Sequence, residues 1–232
     1  MSNPLRVALV PTDKIVIEAA IQSMLANAPF IIHQLQPEES LAFVLPEDTT
    51  GWGGVYRWCQ KALQRSNGAI EADILFSTYE VLVIHLDADV ASEQYANAHI
   101  VDGANDLPCL EACPPASATT ERLRTVMMRW IGAVALPGSI VLCTPSKNTE
   151  AWVLCALYLA DKVVRSGSVE CFERPQRQLQ SKGKVGRLVS GGKKHVNVYS
   201  SRSSEISEAW PGVRALCTEA ERFSDDFESA AT

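Results

Sequence analysis

Residues 81–91 read VLVIHLDADVA, an apolar run that ends in two acids, Asp87 and Asp89. Val81, Leu82, Val83 and Ile84 show no polar alternation, which is the pattern of a strand covered on both faces by helices in a parallel sheet. Acids are costly inside such a layer, so their arrival marks the strand's carboxyl end. In extended geometry, side chains two residues apart point the same way at about 6.6 Å along the chain. The spacing therefore predicts that Asp87 and Asp89 share one side. Two like charges at about 6 Å repel by about 3 kcal/mol at an effective dielectric near ~20. A divalent cation turns that repulsion into attraction, and hard oxygen ligands suit Mg²⁺ or Mn²⁺. A solvated turn that contains two acids is the alternative.

The segments on either side extend the pattern. LRVALV (5–10) reads as a first strand, after which Thr12 or Asp13 caps a helix with Ile17, Ala20, Ile21, Met24 and Leu25 at helical spacing. FIIHQL (30–35) and LAFVL (41–45) are short strand candidates. PEDTTGWGG reads as a turn-rich loop; its GWGG lacks both the Gly-Lys-Ser ending of a P-loop and a strand immediately before it. Val55, Trp58, Cys59, Ala62 and Leu63 then line a helix face. A long irregular stretch, 90–118, contains Pro108, Pro114 and Pro115. It is followed by a helix with Leu123, Val126, Met127, Trp130, Ile131 and Val134 in phase. SIVLC (139–143) is another buried strand, and TPSKNTE leads into the apolar helix AWVLCALYLA. A last helix is expected from Trp210 and Pro211, with Pro in its first turn and Val213, Leu216, Cys217, Ala220 and Phe223 on its face. Strands alternating with helices predict an α/β fold, a mostly parallel three-layer sheet of Rossmann-like type. Residues 1–170 form the α/β domain; 171–232 add a basic loop region and a C-terminal helix that packs on the same domain.

Composition narrows the class. With 232 residues, 47% of them hydrophobic, the chain buries a full core. No apolar stretch reaches the roughly 20 residues of a membrane span, and the N-terminus has no secretory pattern, so a cytoplasmic protein is expected. Seven scattered cysteines in that setting predict reduced thiols. CLEAC (109–113) is the one close pair, and no second pair follows at zinc-finger spacing. The net charge of −6 argues against a uniformly basic, nucleic-acid-coating surface. Yet residues 174–204 hold no acid and eight of the 21 basic residues: Arg174, Arg177, Lys182, Lys184, Arg187, Lys193, Lys194 and Arg202. Such a tract is either a phosphate-facing surface or a solvated loop.

Ligands of open α/β sheets bind beyond the carboxyl ends of the strands, which points to the loops after residues 10, 86 and 143. The first offers Asp13 and Lys14, the second Asp87 and Asp89, the third Ser146, Lys147, Asn148 and Glu150. If the three strands are neighbours, these groups share one rim. His85 then stands either behind Asp87 as a partner or in the core. HLDAD, SKNTEAW and AWPGVRALCTEAERF together resemble the Toprim domain of topoisomerases, primases and nucleases, and within it small Toprim-like proteins of bacterial defence loci, often encoded beside an ATPase. The resemblance implies Mg²⁺-dependent nuclease chemistry on DNA or RNA in anti-phage defence. Asp87 and Asp89 would hold the metal, Asp13 or Glu150 would act as acid or base, and Lys147 would meet a phosphate oxygen. Arg174, Arg177, Lys182, Lys184, Arg187, Lys193 and Lys194 would hold the nucleic-acid backbone. The family's first-strand acid has no counterpart here, because Pro11 follows VALV directly. That departure leaves a second reading: a catalytically incomplete subunit that docks on an ATPase or on a second copy of itself.

Overall fold

A computed structural model of the chain describes residues 3–11, 13–26, 28–36, 51–182, 187–191 and 193–232. The strand candidate LAFVL and residues 46–50 of the PEDTTGWGG loop lie outside these. In chain order the elements are β1 (Leu5–Val10), α1 (Lys14–Met24), β2 (Phe30–Gln34), α2 (Gly51–Arg65), β3 (Val81–His85), α3 (Ser117–Trp130), β4 (Ile140–Cys143) and α4 (Glu150–Leu157). After them come α5 (Lys162–Arg165), α6 (Pro175–Gln180), β5 (Val189–Ser190), β6 (Lys193–Lys194), α7 (Val196–Ser201), α8 (Ser203–Leu216) and α9 (Thr218–Ala230).

β1 to β4 form one all-parallel sheet in the order β2-β1-β3-β4, with Val7 opposite Val81 and Leu82 opposite Ile140. Alternate residues of each strand feed opposite layers, as the pleat requires. Val7, Leu9, Val81, Val83, Val141 and Cys143 pack with α1, α4, α8 and α9. Ala8, Val10, Leu82, Ile84, Ile140 and Leu142 pack with α2 and α3. The sheet is thus the middle of three layers, and β3, buried at every position, lies inside it. Among the described residues β2 is an edge strand, and its exposed positions fit that place.

The α4 side is closed by an aromatic stack. Trp152 lies parallel to Phe223 at 6.2 Å, and Trp210 meets Trp152 edge-on at 5.5 Å. These contacts join α4, α8 and α9 and pack the C-terminal helices on the main sheet, so residues 171–232 belong to the same core.

Several local expectations change. GWGG is the first turn of α2 rather than a flexible loop; at Gly53 a Cβ would come within 2.8 Å of the Ala98 side chain, so close packing explains the glycine. α3 ends at Trp130 and leaves Val134 fully exposed. α4 ends at Leu157, short of the apolar run. α8 begins at Ser203 and carries Pro211 inside it, where a helix had been expected to start. Cys113 and Cys171 form a disulfide, which corrects the expectation of reduced thiols throughout; Cys59, Cys109, Cys143, Cys155 and Cys217 remain free. Among the described residues no helix is long and apolar enough to cross a membrane.

Candidate functional site

The strand order places β1 beside β3 and β3 beside β4, so the three polar loops leave the sheet along one rim. The chain reverses direction of travel across the sheet between β1 and β3, which makes the gap between their carboxyl ends the topological switch point. Asp13 and His85 meet across it: the backbone N–H of Asp13 donates to His85 Nδ1 at 3.3 Å. Acceptance at Nδ1 leaves the ring proton on Nε2, which faces Asp87 Oδ1 at 3.4 Å. His85 is completely buried, so it serves both as a core residue and as the group behind Asp87.

β3 stops at His85. Asp87 remains extended at the N-cap position of a 3-10 turn, Ala88–Ser92, that contains Asp89, and its side chain makes no capping bond there. The two acids are therefore not brought together by strand pleating. Instead, the post-β3 loop is stitched to the post-β4 loop by backbone bonds from Leu86, Ala88 and Asp89 to Cys143, Pro145 and Lys147. This sets Asp87 Oδ1 3.1 Å from the Thr149 N–H, at the start of α4, where an anion is favoured.

Asp13 occupies the N-cap position of α1, yet its side chain makes no capping bond. It accepts from the Thr149 hydroxyl at 2.8 Å and from Lys194 Nζ at 2.5 Å. Lys194 also reaches Glu150 Oε1 at 2.8 Å, and Tyr199 donates to the same oxygen at 3.4 Å. Asp13, Thr149, Glu150 and Tyr199 are all more than nine-tenths buried. Their electrostatics follow from this arrangement. Burial alone would raise Asp13, but the Lys194 ammonium and the Thr149 hydroxyl hold it below the ordinary carboxylate range. Burial raises Glu150, helped by Asp87 and Asp13 and opposed by Lys194. Burial works against a charged Lys194, but Asp13, Glu150 and Asp87 outweigh it and raise the ammonium above its usual value. Asp89 is open to solvent on one side and crowded on the other; desolvation, then Asp87, Glu150 and Glu93, push it up to about 7.

Not every expected residue joins the rim. Lys147 Nζ pairs with Glu173 at 3.1 Å. Lys182 pairs with Asp161, and Lys194 serves the acid cluster, so neither is free for a nucleic-acid backbone. Arg174, Arg177 and Lys193 are exposed, Arg187 is half-buried, and Lys184 lies outside the described residues. Thr149 and Tyr199 had no flag in the sequence. Thr149 stands next to Glu150, the nearest thing to a signal; Tyr199 sits in a helix of its own with none.

The donor set fits Mg²⁺ or Mn²⁺ in kind. Among the described residues no hydrogen bond engages Asp87 Oδ2, and the Asp89 carboxylate accepts from the Val90 backbone N–H, which leaves hard oxygens for a cation that commonly takes one or two carboxylates and keeps waters. No three His, Cys, Asp or Glu side chains among the described residues already form a complete metal cage. Fold and site together define a parallel three-layer α/β protein with an acidic, lysine-bridged centre at its switch point. Comparison with protein-family models, curated proteins and solved structures finds no match.

Proposed function

We propose that this rim is a Toprim-type centre for divalent-metal-dependent phosphodiester chemistry on nucleic acid. The observation that carries the reading is the convergence of Asp13, Asp87 and Glu150 from three adjacent strand ends at the switch point, with more negative charge than Lys194 offsets. An enclosed surplus of carboxylate is costly unless a cation answers it. Asp87 and Asp89 would hold Mg²⁺ or Mn²⁺, which when bound polarises a phosphate and stabilises charge on a leaving oxygen. His85 orients Asp87 from behind. Asp13 and Glu150, held in place by Thr149 and Tyr199, are the groups in reach to accept or return a proton. Exposed Arg174, Arg177 and Lys193 would meet the backbone phosphates of DNA or RNA.

The test is cleavage of labelled single- and double-stranded DNA and RNA with Mg²⁺ or Mn²⁺. Activity that needs the metal and falls by about a hundredfold or more when Asp87 and Asp89 are both changed to Asn supports it. Cleavage that is independent of metal, or untouched by the double change, overturns it. A second reading has its own observations: Pro11 stands where the family places an acid, and the Lys194 ion pairs already occupy Asp13 and Glu150. On that reading the chain is a non-catalytic subunit of an ATPase complex. A protein inert toward all four substrates that co-purifies with a co-encoded ATPase would favour it.

A further inference from the structure

Lys194 comes from far along the chain, 181 residues after Asp13, and is delivered by a hairpin of two two-residue strands, β5 and β6. The hairpin is anchored at its base. Leu188 and Val189 are buried in the α4-side core, and the N–H of His195 donates to the Leu188 carbonyl at 2.8 Å. The next helix, α7, carries Tyr199, whose ring faces the Lys194 ammonium at 5.9 Å and whose hydroxyl reaches Glu150. One short segment thus supplies a cation and an aromatic wall to an acid cluster built by three other loops. Lys194 itself is not sealed in: 35% of its side chain is exposed, against 6% for Asp13 and 4% for Glu150. Its partly exposed stem faces solvent on one side, which is the direction in which the ammonium would leave.

We propose that Lys194 is an autoinhibitory counter-ion, whose ammonium competes with the divalent cation of the rim so that metal binding and lysine release are one linked equilibrium. The proposal rests on the metal-site reading above and concerns the regulation of that site. Its basis is charge in a small space. Lys194 Nζ lies 3.3 Å from the Thr149 hydroxyl, and the backbone N–H of the same Thr149 holds Asp87 Oδ1 at 3.1 Å, so a divalent cation at Asp87 and Asp89 sits across one residue from the ammonium. Like charges there repel, and either cation weakens the other. While Lys194 stays, Asp13 and Glu150 are neutralised and turned inward. Once it leaves, both carboxylates are released to the site. An arriving phosphodiester offers the freed ammonium a new anionic partner.

Two measurements test this without relying on catalysis. In the first, Mn²⁺ alone is titrated calorimetrically into the parent protein and into Lys194→Met. Removing the ammonium should tighten Mn²⁺ binding by about tenfold or more, given the size of the repulsion at this range. Mn²⁺ should also raise the melting temperature of the variant more than that of the parent. Equal affinity in the two proteins overturns the proposal while leaving the metal-site reading intact; absence of Mn²⁺ binding in both removes both. The second uses the parent protein and so stands even if the variant does not fold. Reaction of Lys194 with an amine reagent, read by peptide mass spectrometry, should speed up severalfold at saturating Mn²⁺, while exposed Lys193 keeps its rate. An unchanged Lys194 rate with Mn²⁺ bound overturns the linkage.

Discussion

Asp89 shows how a single side chain records the imbalance of its surroundings. Its carboxyl sits at about 7 because the rim desolvates it and Asp87, Glu150 and Glu93 repel its charge; an unfolded aspartate titrates near ~3.9. Between those values the folded chain keeps a proton that the unfolded chain has lost. The group's contribution to stability is therefore complete below about pH 4 and lost as pH rises through about 7. Asp89→Asn removes the ionisation, so the variant should melt higher than the parent at pH 8, and the gap should close toward pH 4. Melting curves at pH 4, 6 and 8 check it, and a gap that does not change with pH sinks the account. Solvent access to Asp89 keeps the effect modest. At this scale the sequence was informative about which residue types gather at strand ends, since Asp13, Asp87 and Glu150 were all legible there. It assigned Lys194 to a phosphate-facing tract and not to the acid cluster, because a partner 181 residues away leaves no local pattern. Asp13 misled for a related reason: its cap position is real, but a lysine and a threonine from elsewhere claim its side chain.

At the level of elements, α9 depends on an acid that no helix pattern displays. Glu170, buried in a 3-10 turn, accepts from the Thr218 N–H at 2.7 Å, the Thr218 hydroxyl at 2.8 Å and the Glu219 N–H at 3.1 Å. It also receives the Trp152 indole N–H at 3.4 Å. It thus caps α9 from outside the helix, satisfying its first donors where the dipole favours an anion. Glu170→Ala should cost about 2–3 kcal/mol, since a lost cap is joined by an unsatisfied buried indole. Glu170→Gln, which keeps one acceptor oxygen, should cost less than half of that. Urea unfolding of the two variants separates these outcomes, and equal losses would mean that packing, not capping, is the contribution. The same region shows why element boundaries were hard to read. Pro211 suggested a helix start, yet α8 runs through it, because Ile206, Trp210 and Val213 bury one face. Pro211 has no N–H to give to the Ser207 carbonyl, and Ser207 is only half-buried. Tertiary packing overrides the local signal there, whereas the apolar strands β1, β3 and β4 were legible because burial on both faces leaves no room for polar residues.

Across the whole molecule, sheet order decides the site. Adjacent β1, β3 and β4 put three loops on one rim, and neither their adjacency nor the switch point can be read from any one segment. The disulfide was equally hidden, because pairing depends on where the layers end and not on spacing along the chain. Cys113 lies in the connection before α3, on the layer that also holds α2, while Cys171 ends the turn after Val169, in the layer of α4 and α9. Residues close to each cysteine meet the loop after β4, Ser146 donating to the Ala116 carbonyl at 3.5 Å and Lys147 to Glu173 at 3.1 Å, so the bond joins the two segments beside that loop. It closes a loop with a sequence separation of 58 residues. Constraining the unfolded chain over such a loop is worth about 4 kcal/mol in the chain-entropy model, and measured values often fall below it. Reduction, or Cys113→Ser, should therefore lower the unfolding free energy by about 2–4 kcal/mol and leave the rim intact, since Asp13, Asp87 and Glu150 are held by Thr149, Lys194, His85 and Tyr199. Thiol counting gives an independent check. In the native, non-reduced protein only half-exposed Cys109 should react with a thiol reagent, because Cys59, Cys143, Cys155 and Cys217 are buried. Reduction should add Cys113 and Cys171 to the reactive set. If all three react before any reductant is added, the bond is not formed in solution, and the two segments must be held by their other contacts alone.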